Sequence, residues 1–130
     1  MATLSPDEIE QFRAQLSTYP PALKALTEIE DCEGNLADAT ISLAIRAGQQ
    51  PQEDNGEWLA DLAKRCRAVI CQAIPRQNLE TGAIDKTIIA VASSELIPAA
   101  LATPVVLYVL KSGLAEFCQA FEPVEPEAEA

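Results

Sequence analysis

Proline, glycine or asparagine interrupts this chain at short intervals, and between the interruptions apolar residues recur at helical spacing. This punctuation constrains the fold most, because it forbids long continuous helices and sets the length of each rod. Ser5-Pro6-Asp7-Glu8 opens the first rod, with Ser5 as cap, Pro6 in the first helical position and Glu8 closing a capping box. Ile9, Phe12 and Leu16 then share one face, and Tyr19-Pro20-Pro21 ends it. Residues 22–32 carry a second stripe of Leu23, Leu26 and Ile29, closed by Glu33-Gly34-Asn35. A third helix runs from Leu36 through Ala39, Leu43 and Ala47 to Gly48.

The polar stretch 49–56 reads as the main internal loop. Asp54 or Asn55 caps a fourth helix bearing Trp58, Leu62, Cys66, Val69 and Ala73, which ends near Ile74-Pro75. Residues 81–95 form a fifth. Thr87 to Val91 has the composition of a short strand, but no partner strand exists elsewhere, so helix is favoured there. The last helix spans residues 104–120, with Leu107, Leu110, Leu114 and Phe117 on one face. The expected fold is therefore all-α, a compact bundle of about six helices forming a single domain over residues 1–120. Residues 121–130 alternate proline, glutamate and alanine and read as a disordered acidic tail. Composition agrees: 22 of the 130 residues are alanine, 48% are apolar and only 5% are aromatic. Alanine favours helix over strand.

The chain contains no histidine. That removes serine and cysteine nucleophiles activated by imidazole, histidine metal sites and histidine proton relays. The five glycines are isolated, so no phosphate-cradling loop is present. No catalytic residue, cofactor or metal ligand is assigned, and the chain is read as non-enzymatic. Cys32, Cys66, Cys71 and Cys118 include no C-x-x-C pair and read as small core residues without a redox or metal role. No cationic segment followed by an apolar stretch opens the chain, and a cytoplasmic location is expected.

The formal net charge is −11. Residues 1–60 hold eleven acids against Arg13, Lys24 and Arg46, while residues 61–120 are nearly neutral. Such a balance disfavours nucleic acid and anionic membranes as partners. Lys64-Arg65-Cys66-Arg67, continued by Arg76, is the one dense cationic run, and it is expected to neutralise the acidic half locally, either within the chain or across a dimer. Glu28, Glu30, Asp31, Glu33 and Asp38 surround Gly34. An EF-hand loop is excluded: with Gly34 as its glycine, Ile29 would stand at the first ligand position and Thr40 at the bidentate one. An exposed acidic knot that receives a basic protein partner is expected instead.

The run from Ile88 to Leu110 is cut by Ser93-Ser94-Glu95 and by Pro98 and Pro104, too short and too broken to span a bilayer. It reads as an apolar hairpin. If Val105, Val106 and Val109 exceed what one small domain can cover, they would form an interface with a second copy, giving a homodimer, or with another partner. Residues 22–47 resemble in outline a ubiquitin-associated domain or a helix-turn-helix unit, but they lack a basic recognition face and no function is carried over.

Together these features point to a regulatory or adaptor module that binds another protein. The alternatives are a carrier of a small apolar ligand held around Trp58 and Tyr108, or a non-catalytic subunit of a larger enzyme.

Overall fold

The structure is a computed structural model, and it describes residues 3–49 and 55–119. Its helices are α1 (Pro6–Gln15), α2 (Pro20–Asp31), α3 (Leu36–Arg46), α4 (Asn55–Arg65), α5 (Arg67–Ile70), α6 (Ala73–Glu80), α7 (Ile84–Ser94), α8 (Ala102–Ser112) and α9 (Leu114–Gln119), with a 3-10 turn at Ala99–Leu101 before α8. The fold is all-α among the described residues. One isolated bridge, Thr3 with Asn35, is the exception to helical backbone pairing. The expected tail and residues 50–54 of the expected loop lie outside the described residues.

Among the described residues the expected six helices become nine, because two of them break and α6 forms in a stretch expected to be a link. The long fourth helix is interrupted at Cys66, whose backbone (φ −93°, ψ 1°) leaves α4 and α5 as separate pieces. Ile74-Pro75 then begins a helix where it was expected to end one. Pro75 sits in the first turn of α6, where its missing N–H has no intrahelical acceptor to satisfy. The final helix breaks at Gly113 (φ +111°, ψ 107°), a conformation closed to residues bearing a Cβ, and α9 turns away from α8.

Residues 84–94 are helix, not strand. Ile84, Thr87, Ile88 and Val91 recur at helical spacing and are all buried. Thr87 satisfies its buried hydroxyl by donating to the Pro75 carbonyl at 2.7 Å, which ties α7 to α6.

The core is arranged around α8. This helix contacts α2, α3, α4, α7 and α9, and its residues 102–107 and 109 are buried. A helix that is apolar all round belongs in the middle of a bundle. That placement corrects the expected dimer surface: Val105, Val106 and Val109 are each 0% exposed within a single chain. These three valines therefore offer no exposed surface of their own to a second copy.

Candidate protein-docking site

The acidic knot falls on the turn between α2 and α3. Helix α2 closes with the Glu33 N–H donating to the Glu30 carbonyl and the Gly34 N–H donating to the Ile29 carbonyl, the paired bonds of a Schellman cap. Such a cap needs a left-handed residue after the last helical one, and here that residue is Glu33, at φ +58°. Gly34 follows at φ +84°. Asn35 then caps α3 by accepting from the Asp38 N–H at 3.0 Å.

A second strand of backbone holds the turn from the side. The Leu4 N–H donates to the Gly34 carbonyl at 2.8 Å, and Leu4 itself is buried against the core. The start of α1 is fixed in turn by its capping box, with Ser5 Oγ accepting from the Glu8 N–H and the Glu8 carboxylate accepting from the Ser5 N–H. The turn and the entry to α1 are thus one rigid unit.

Glu30, Asp31, Glu33 and Asp38 are exposed. Glu28 is not, and its expected place on the docking face is corrected. Its residue is 7% exposed; its carboxylate accepts from Ser42 Oγ and pairs with Arg46 at 3.1 Å. It points between α2 and α3 because residue 28 stands three positions after buried Ala25, on the edge of the stripe that α2 buries, whereas Glu30 and Asp31 lie off that stripe. Glu30 pairs with Arg13 on α1 at 2.6 Å. The negative field registers on Cys32, whose half-buried thiol is pushed up from its ordinary value, first by burial and then by Glu28, Asp38 and Asp31.

Between the turn and the entry to α1 lies a cleft of about 230 Å³, lined by Leu4, Pro6, Ile9, Glu30, Glu33 and Gly34. Its floor is apolar and its rim carries two carboxylates. The acidic residues were legible in the sequence, but the apolar partner of the site was not, because residues 4–9 reach Gly34 only through the Leu4 backbone bond. Helical spacing had marked Ile9 as core alone.

Elsewhere the structure redistributes the charges. Within the acidic half Arg13 pairs with Glu30 and Arg46 with Glu28, and Lys111 reaches in from α8 to donate to Glu8 at 3.0 Å. Of the cationic run, Lys64 and Arg65 are exposed, Arg67 lies with its guanidinium 4.7 Å from the centre of the Phe117 ring, and Arg76 pairs with Glu80 at 3.4 Å. Trp58 and Tyr108 are half-buried and pack on the core rather than lining this cleft.

Two of the four cysteines depart from the expectation of small core residues. Cys66 is buried, and burial pushes its thiol up to about 11. Cys71 and Cys118 form a disulfide across 47 positions. Their pairing depends on the break at Gly113, which brings α9 back against α5, and no local spacing rule reports such a contact. Among the described residues no helix is long and apolar enough to cross a membrane. Comparison of the chain with protein-family models, with curated proteins and with solved structures found no match.

Proposed function

We propose that this chain is a non-catalytic protein-interaction module whose docking face is the α2–α3 turn together with the cleft beside it. The observation that carries the reading is Glu33. A left-handed residue at a helix end is ordinarily glycine, and a side chain there costs on the order of 1 kcal/mol. A carboxylate is nevertheless held in that conformation at the rim of an apolar cleft, and strained backbone of this kind clusters at ligand-binding sites.

The partner that fits is a segment with an apolar side chain for the Leu4–Ile9 floor and a lysine or arginine beside it for Glu33 and Asp31. The charges set partner choice and encounter rate, and the apolar side chain supplies affinity. The rigidity of the turn supports the reading, since a preorganised surface loses little entropy on binding.

The test uses short synthetic peptides that place lysine or arginine next to leucine or phenylalanine, with glutamate-for-lysine versions as controls. Fluorescence anisotropy is expected to show binding of the basic set that weakens with added salt and is lost in a D31K/E33K variant. Equal binding of the acidic controls, or undiminished binding by the variant, removes the proposal.

A further inference from the structure

Helix α9 has six residues and follows directly on Gly113. A helix of that length does not hold itself together in water, so its position depends on what fastens it. Three fastenings are present. Leu114 and Phe117 pack on the core while remaining half-exposed, the Phe117 ring covers the Arg67 guanidinium, and Cys118 is bonded to Cys71. Only the last is covalent. Both side-chain fastenings on the far side belong to the α5 region, since Arg67 opens α5 and the Cys71 N–H donates to the Arg67 carbonyl at 3.0 Å.

Arg67 is an unusual neighbour for this contact. Its Nε is buried and has no hydrogen-bond partner among the described residues, so the aromatic face is the compensation shown for its desolvation. The contact holds α9, but its loss is partly offset, because once the ring leaves the guanidinium regains water. Lys64 and Arg65, one turn earlier, are already exposed.

We propose that the Cys71–Cys118 disulfide is a redox latch, whose reduction undocks α9 and adds Arg67 to the exposed cations Lys64 and Arg65. A dithiol is the reductant. Its thiolate attacks the sulfur of Cys71, which is only half-buried, forming a mixed disulfide and expelling the Cys118 thiolate, which takes up a proton. The second thiol of the reductant loses its proton and attacks the mixed disulfide, leaving the reductant as a cyclic disulfide and freeing Cys71 as a thiol. Two electrons pass to the protein and two protons follow. The remaining cysteines do not interfere, because Cys32 and Cys66 are both held as thiols by their surroundings and make poor nucleophiles.

The experiment compares the full chain before and after treatment with dithiothreitol, alongside C71S and C118S variants. Thiol counting by mass spectrometry should give two free thiols without reductant and four with it. Backbone hydrogen exchange over residues 114–119 should accelerate about tenfold or more on reduction and in both variants, while α2 and α8 keep their protection. Phenylglyoxal modification of Arg67 should accelerate in parallel, with Arg65 unchanged. F117A keeps the bond and supplies an independent arm: α9 should stay protected while oxidised and lose protection when reduced. Unchanged exchange on reduction, loss of the whole helical circular-dichroism signal, or four free thiols before treatment would each overturn the latch.

Discussion

Gly34 lies directly against the backbone of Leu4: a Cβ added to it would fall inside the contact distance of the Leu4 carbonyl oxygen. That approach joins the α2–α3 turn to the entry of α1 and closes one wall of the cleft. The obstruction is backbone, which cannot rotate aside, and the φ of +84° is itself unfavourable to a side chain. Gly34→Ala is expected to destabilise the chain by about 2 kcal/mol or more, read from a urea midpoint.

Glu33 offers the opposite case. Glu33→Gly relieves the left-handed strain, and the folded state is expected to gain up to about 1 kcal/mol. The same change removes the rim carboxylate and should weaken the basic peptides. Greater stability with poorer binding is the signature of a residue retained for recognition. Unaltered peptide affinity would make Glu33 a bystander.

Glu28 and Arg46 are paired but unequal. Glu28→Ala strips the part-buried Ser42 contact and its ion pair together, an expected loss of about 2 kcal/mol. The Arg46 side chain is 71% exposed, so Arg46→Ala should cost less than about 1 kcal/mol. Denaturation of the two variants side by side separates a structural carboxylate from a surface cation.

Glu8 makes the acid limb of stability predictable. Its carboxyl titrates below the ordinary 4.5 because the Ser5 N–H donates to it and Lys111 holds it. A carboxylate lowered in the folded state contributes stability above its unfolded value and loses it as pH falls through the folded one. The wild type should therefore weaken below about pH 4.5, and Glu8→Gln should lower stability at neutral pH while flattening that decline. Urea midpoints across the acid range check both.

Much of this architecture was legible from local chemistry. The Ser5 capping box and the stop at Gly34-Asn35 act within a few residues, and each appears where the sequence placed it. Helix over residues 84–94 was favoured for want of a partner strand, and the structure bears it out. The failures share a cause, which is contact between distant segments. Pro75 reads as a terminator unless the chain is known to restart just before it. Gly113 reads as a tolerated helical glycine until α9 is seen folded back towards Cys71. Val105, Val106 and Val109 read as surplus because hydropathy counts apolar residues without saying which helix becomes the centre. At the docking site, Glu30, Asp31, Glu33 and Asp38 were recognisable as acidic surface, whereas the inward turn of Glu28 and the cleft floor depend on how α1, α2 and α3 meet.

The docking face is tested most directly by NMR, mapping amide shift changes as a lysine- and leucine-bearing peptide is added to the full chain. The perturbed amides should converge on Leu4, Ile9, Glu33 and Gly34 and should fade with added salt. Changes centred on α4 to α7, or none at peptide concentrations that saturate anisotropy, would contradict a recognition site at the α2–α3 turn.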